Sequence, residues 1–256
     1  MNRTALIINA DDFGLTESCT KAIAEAFRLG LISSTTACAN GEAIENAYRI
    51  ANENGFLNRV GIHINLTEGA PLTEGIKNDP FFCESGVFHG KINRLKKPGK
   101  KTLAHLEAEV AAQIERLKAI GFPISHADSH HHIHTGLFLI GSVEKVLKQY
   151  GIGKIRLHRN FGAIPFYKRF IKNRFNKRLQ KDGFVTTEKM GSFEDLAAMP
   201  EEAKAHLTEI MVHPDVDREG VLIDRVDYEG DCPVGRPLAD LLLYLQNETL
   251  ISYGEL

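Results

Sequence analysis

Short apolar runs alternate with amphipathic ones through the first 158 residues of the chain, and few folds accept that order. Thr4 to Asn9, Ser33 to Ala39, Val60 to Leu66, Pro123 to Asp128 and Lys154 to His158 read as strands. Between them lie stretches opened by Thr16, Glu42, Thr102 and Leu137, with apolar residues at helical spacing. Gly30, Gly55, Gly121 and Gly151 stop these helices. Strand followed by helix, repeated, implies parallel strands joined by crossover helices. Glu209 to His213 and Leu250 to Tyr253 bring the strand candidates to seven. The expected fold is therefore α/β: a TIM-barrel-like or incomplete (β/α) barrel with about seven parallel strands. An open doubly wound sheet is the alternative. No Gly-x-Gly-x-x-Gly follows the first strand and no phosphate-loop lysine motif occurs, so nucleotide binding has no support.

A chain of 256 residues that is 43% hydrophobic can bury one large core, and residues 1–256 are expected to form a single domain. A net charge of −2 does not suit a surface built for nucleic acid. Cys19, Cys38, Cys83 and Cys232 lie far apart with no Cys-x-x-Cys pair, which argues against a disulfide framework and for a reducing, cytoplasmic setting. The apolar run Ala5-Leu6-Ile7-Ile8 is too short for a secretion signal, and no later run is long enough to span a membrane.

Two segments are less regular. Glu68 to Lys101 is rich in Gly and Pro and is expected to be a lid, a binding loop or an insert. Phe166 to Lys181 is basic and amphipathic, carrying Lys168, Arg169, Lys172, Arg174, Lys177, Arg178 and Lys181. Its apolar residues Phe170, Ile171, Phe175 and Leu179 recur at helical spacing. A solvated helix face docked by its aromatics is the expected arrangement, and contact with a polyanion or lipid is the alternative. Phe161, Phe166, Tyr167 and Phe170 would cover either the chain's own barrel or a neighbour in a homodimer.

The chemistry concentrates in His126-Ala127-Asp128-Ser129-His130-His131-His132-Ile133-His134, which holds five of the eleven histidines. Imidazole and carboxylate are ligands for divalent ions. Asp11 and Asp12 follow the first strand, His63 lies in the third, Asp128 and His130 follow the fourth, and His213 ends the sixth. Each placement alone has a plain explanation, such as a capping Asp or a buried interior His. Together they fall where α/β barrels place their active sites. A metal held by two His and one Asp keeps open positions, as catalytic sites do. A neighbouring carboxylate could take a proton from water, and a separate histidine could protonate a leaving group. These parts suit metal-assisted hydrolysis of an amide or ester. Competing readings are a metal-dependent phosphoesterase or other amidohydrolase, and a non-catalytic sugar-binding protein.

Six motifs taken in order carry a resemblance: Asn9-Ala10-Asp11-Asp12-Phe13-Gly14-Leu15, Ser34-Thr35-Thr36, Gly61-Ile62-His63-Ile64-Asn65-Leu66-Thr67, His126 to His134, Met211-Val212-His213-Pro214, and Ser252-Tyr253. The chain resembles the YdjC-like carbohydrate deacetylases, a family that includes chitooligosaccharide deacetylase and a hopanoid-biosynthesis branch. The resemblance implies a barrel-like α/β fold and removal of an N-acetyl group from an acetylated amino sugar or oligosaccharide. It implies Asp12, His63 and His130 as metal ligands and Asp11 as general base. His213 would be the general acid, and Arg156 would orient Asp11 or the substrate. It implies one divalent ion, Mg2+ by family, although two imidazoles and a carboxylate suit Zn2+ or a similar ion better. Asp128, His131, His132 and His134 are expected around the ligands or facing substrate. Ala127 stands where the family commonly has a larger aliphatic residue. Glu68 to Lys101 and Asn160 to Met199 match nothing in the pattern.

Overall fold

The computed structural model describes residues 4–93, 96–246 and 248–256. Arg94 and Leu95, inside the expected long loop, lie outside the described residues. The strands are β1 (Ala5–Phe13), β2 (Ser34–Ala37), β3 (Val60–Ile64), β4 (Cys83–Glu84), β5 (Val87–Phe88), β6 (Ala127–Ser129), β7 (Lys189–Ser192), β8 (Leu207–Val212), β9 (Pro214–Val216), β10 (Leu222–Glu229) and β11 (Cys232–Pro237). The α-helices are α1 (Glu17–Arg28), α2 (Ile44–Glu53), α3 (Glu74–Lys77), α4 (Lys100–Ile120), α5 (Ile140–Gln149), α6 (Phe166–Lys181), α7 (Phe193–Ala198), α8 (Pro200–Lys204) and α9 (Leu242–Leu245).

The organising unit is a curled, parallel, six-stranded sheet in the order β6-β3-β2-β1-β8-β7, an open half-barrel. The expected count was about seven, and the difference has a local cause. Lys154 to His158 forms no ladder; it touches its neighbours through the bridges Ala127↔Ile155 and Lys154↔Val185. Leu250 to Tyr253 contributes only the bridge Leu6↔Leu250 before turning into a 3-10 helix. Lys189–Ser192, not expected as a strand, completes the sheet against β8. Its sequence, Lys-Met-Gly-Ser, carries too little β-branched or aromatic character to announce a strand.

The helices form where the apolar periodicity places them. Thr16 caps α1 and accepts from the Cys19 backbone N–H, and Gly121, at φ +119°, ends α4 in a left-handed cap. Beyond β11, the chain forms a 3-10 turn, Leu238–Leu241, followed by the short α9. The Gly- and Pro-rich segment after Glu68 contains α3 and the β4–β5 hairpin.

The sheet is buried on both faces, as parallel sheets are. Leu6, Ile8, Ile62, Ile64, Ile210 and Val212 are all fully buried in one continuous core. A second, antiparallel sheet, β9-β10-β11, follows β8 directly and folds over the C-terminal end of β1 and β8. That small sheet brings Asp224 and Arg225 to the mouth of the half-barrel.

Gly61 sets how closely β3 and β6 approach. A Cβ there would lie 2.6 Å from the His126 backbone oxygen and 2.5 Å from its Nδ1. The Gly61→Ala variant should lose about 1–3 kcal/mol of stability through overpacking. A urea titration checks this: a midpoint equal to that of the parent would show that the two strands can separate freely.

Candidate active site

Register places the key side chains. β3 and β6 pair with His63 opposite Asp128, so the two share a face, and His63 Nδ1 lies 2.6 Å from Asp128 Oδ1. In β1 the pairing with β2 shifts between Ala10 and Phe13, and Asp12 adopts φ +71°. An irregularity of this kind re-aims side chains. Adjacent residues of a regular strand point to opposite faces, yet Asp11 and Asp12 both reach the same cluster. After β6 the chain turns sharply, with His131 and His132 at φ 49° and 52°, and His130 faces inward.

Asp12 is the meeting point. Its Oδ1 lies 3.2 Å from His63 Nε2 and 2.8 Å from His130 Nδ1. Its Oδ2 accepts from Arg225 at 2.9 Å. Behind it sits Arg156, fully buried. The Arg156 guanidinium donates two bonds of 2.6 Å to the oxygens of Asp11. It also lies 2.7 Å from Asp128 Oδ2 and donates from Nε to Glu209 Oε1 at 2.7 Å. Tyr253 donates its hydroxyl to the other oxygen of Glu209. His213 Nε2 lies 4.0 Å from Asp11 Oδ2, and the His213 backbone N–H is fixed by Asp224 at 2.7 Å.

These contacts set the charges. Burial opposes ionisation of Asp11, but the Arg156 guanidinium outweighs it and holds the carboxyl far below the usual carboxylate range. Burial likewise opposes ionisation of Asp12, and hydrogen bonds from His130 and His63 more than compensate. Burial disfavours a charged His63, yet Asp128, Asp11 and Asp12 raise its pKa to about 10. Burial pushes Glu209 up to about 7 against the pull of Arg156.

The donor set fits a divalent cation. Both ring nitrogens of His63 face carboxylate oxygens, Asp128 on one side and Asp12 on the other. Both ring nitrogens of His130 do too, between Asp12 and Glu68 Oε2 at 3.0 Å. A neutral imidazole has one N–H, so each ring needs an added cation, a proton or a metal, between itself and one carboxylate. With His63 donating Nδ1–H to Asp128, its Nε2 lone pair is left for a metal, the carboxylate–histidine–metal arrangement. Glu68, His130 and His131 could supply a further ligand group at the rim, and Cys38 stands beside Asp12 and His63.

Each residue singled out in the sequence, Asp11, Asp12, His63, Asp128, His130, Arg156 and His213, falls in this cluster. The other histidines divide. His126 stacks on Tyr253 at 3.9 Å, and His134 is buried against Ser129 and the Arg156 carbonyl. His131 is exposed and touches Thr67. Sequence reasoning missed Glu209, Glu68 and Arg225. A glutamate in the otherwise apolar run of β8 was a readable signal. Arg225 gave none, because the alternation in β10 looks like any surface hairpin.

Two outcomes follow. Since proton and metal compete for His63 and His130, metal affinity should fall as the pH is lowered, by about tenfold per pH unit for each proton displaced. Calorimetric titration with a divalent ion across roughly pH 6 to 8 tests this, and a flat affinity would break the argument. Arg156→Met should cost about 3–5 kcal/mol in a denaturant titration, because Asp11, Asp128 and Glu209 lose their shared cation.

Comparisons with known proteins place the chain in a family and agree with this fold. The sequence model of the YdjC-like protein family matches residues 5–237. Carbohydrate deacetylase 1 of Listeria innocua is 32% identical over 215 residues, covering 82% of this chain and 80% of that protein. A carbohydrate deacetylase of Vibrio campbellii is 36% identical over 147 residues, 57% of each chain. A crystal structure from Enterococcus faecalis V583, named for cellobiose-phosphate cleavage, superposes with a TM-score of 0.76 at 23% identity, over 99% of this chain and 98% of that one; it shares the fold. With a family match running from the first strand of the half-barrel to the end of the antiparallel sheet, the chain belongs to the YdjC-like family.

Proposed function

We propose that this protein is a metal-dependent hydrolase that removes the N-acetyl group from an acetylated amino sugar or oligosaccharide, with a chitooligosaccharide-like molecule as the substrate class. The observation that carries the reading is the position of Asp12. It is held in a left-handed conformation between His63 and His130, beside a second carboxylate clamped by a buried arginine. The names of the relatives support the same chemistry.

Asp12, His63 and His130 would hold the divalent ion, which polarises the acetamide carbonyl and lowers the pKa of water when bound. The two imidazoles and one carboxylate favour Zn2+ or a similar transition ion over Mg2+. Asp128 keeps His63 in the tautomer that leaves Nε2 free. Asp11 stays ionised, and the Arg156 fork aims it at the mouth of the site. It takes the proton of the attacking water. His213, half-buried and 4.0 Å from Asp11 Oδ2, stands where it can hand a proton to the departing amine. Thr36 and Asn9 hold the carboxylates from behind, with Thr36 Oγ1 donating to Asp128 at 3.0 Å and Asn9 Nδ2 donating to Asp11 at 3.0 Å.

Acetate release from N-acetylated sugars, by chelated enzyme and by enzyme reloaded with zinc, magnesium or cobalt, tests the reaction. Asp12→Ala should lose both metal and turnover. Asp11→Asn should keep its metal and lose about 10²–10⁴-fold in kcat. His213→Ala should lower kcat with little change in KM. Metal-independent acetate release, or an Asp11→Asn enzyme at full rate, would defeat the reading.

A further inference from the structure

The helix α6 is docked by its second half, where Leu179 is buried and Phe175 packs against the core and the His158 ring. Of its residues, only Asn176 and Leu179 are buried. The apolar residues of its first half stand in solvent: Phe166 is 86% exposed, Tyr167 63%, Phe170 64% and Ile171 64%. These four lie within the first six residues of the helix. The second half turns Arg174, Lys177 and Lys181 outward. All seven charged residues of the helix are cationic, and it contains no acidic residue. Arg178 is paired with Glu144 and Asp182. Lys168, Lys172, Arg174, Lys177 and Lys181 make no ion pair among the described residues.

Beside the helix runs a groove of about 630 Å³. Ile171 and Phe175 form one apolar wall, and Leu137, 65% exposed, stands on the other. Arg174, Lys177 and Lys181 rim it. The opposite wall is Thr135 and Leu137, at the end of the His130–Thr135 turn and just beyond it.

We propose that α6 and this groove dock the protein, in the plane of the surface, onto an anionic lipid membrane. The match is one of charge and shape together. An interfacial helix sinks aromatics to the depth of the headgroups and spreads Lys and Arg among the anionic lipids, their aliphatic stems lying along the apolar layer. The exposed Phe166, Tyr167, Phe170 and Ile171 at the start of α6 provide the first part, and its seven cations, spread over both halves, provide the second. No helix among the described residues is long and apolar enough to cross a bilayer, so the contact is peripheral. A second copy of this chain is a poorer occupant: a twofold contact through α6 would oppose two helices carrying seven cations and no acid each. A nucleic acid would use the cations and leave Phe166, Tyr167 and Phe170 unexplained. The site goes beyond the hydrolase reading and does not depend on it.

The experiment is flotation of the full chain with vesicles of phosphatidylcholine containing about a third phosphatidylglycerol, and with vesicles of phosphatidylcholine alone. Binding should occur to the anionic vesicles, weaken with salt, and be lost with the neutral ones. Phe166→Ser with Phe170→Ser, and separately Lys177→Glu with Lys181→Glu, should each weaken binding about tenfold. Both variants should keep the parent's circular dichroism, elution volume and hydrolysis of a soluble acetylated sugar, because these side chains are exposed and outside the cluster. No binding of the parent to anionic vesicles would overturn the proposal, as would equal binding by the parent and both variants. A change in oligomeric size in the phenylalanine variant would assign the face to a second copy instead.

Discussion

The structure of this site depends on one buried guanidinium. Arg156 has no exposed surface and faces Asp11, Asp128 and Glu209 at 2.6–2.7 Å. Uncompensated, three carboxylates so close together in a dry interior would be too costly to keep ionised. The planar fork of an arginine can satisfy several oxygens at once, which a lysine's single ammonium does not. Arg156 sits on a segment that forms only isolated bridges, outside the regular ladder. Its carbonyl accepts from His134, its backbone N–H donates to Ala127, and its head reaches β1, β6 and β8. The residue thus ties the irregular edge of the half-barrel to its centre by charge where backbone pairing is sparse.

Much of this was legible before any coordinates. The apolar periodicity placed five of the six sheet strands and the major helices of the first half. The polar residues at their C-terminal ends marked the cluster. What escaped has physical reasons. Lys189–Ser192 joins the sheet because β8 offers an open edge, and local propensity says nothing about that. Lys154 to His158 looks like a strand, but its neighbours engage it at single points only. The antiparallel β9-β10-β11 sheet delivers Arg225 to Asp12, 213 positions earlier in the chain, a long-range pairing that no window of sequence encodes. Phe166, Tyr167 and Phe170 of α6 followed a burial pattern and are nonetheless exposed, since periodicity records that a face is apolar without naming what covers it.

The irregularity in β1 shows how local strain and function are joined. Asp12 holds φ +71°, a conformation that costs a non-glycine residue free energy and persists only where surroundings over-determine it. Here they do. His63, His130 and Arg225 each bond the side chain, and the Leu15 N–H donates to the Asp12 carbonyl at 3.0 Å. Had β1 continued as a regular strand, Asp11 and Asp12 would point to opposite faces, and one of the two carboxylates would be lost to the cluster.

The same crowding gathers positive charge around Asp12. Asp11, Asp12, Asp128 and Glu209 are buried together, and the fixed cations that meet them are Arg156 and Arg225. Four carboxylates against two guanidiniums leave two negative charges if all are ionised (4 − 2 = 2). The protein answers in three ways. Glu209 moves its pKa up to about 7 and so holds a proton for part of the neutral range. His63, its pKa raised to about 10, carries a proton of its own, and the pKa of His130 also rises. A metal of charge two at Asp12 would supply the positive charge that a proton on His63 otherwise brings. The cluster gathers positive charge at one point, and the divalent ion of the proposed function would bring that charge together with open coordination positions that protons lack.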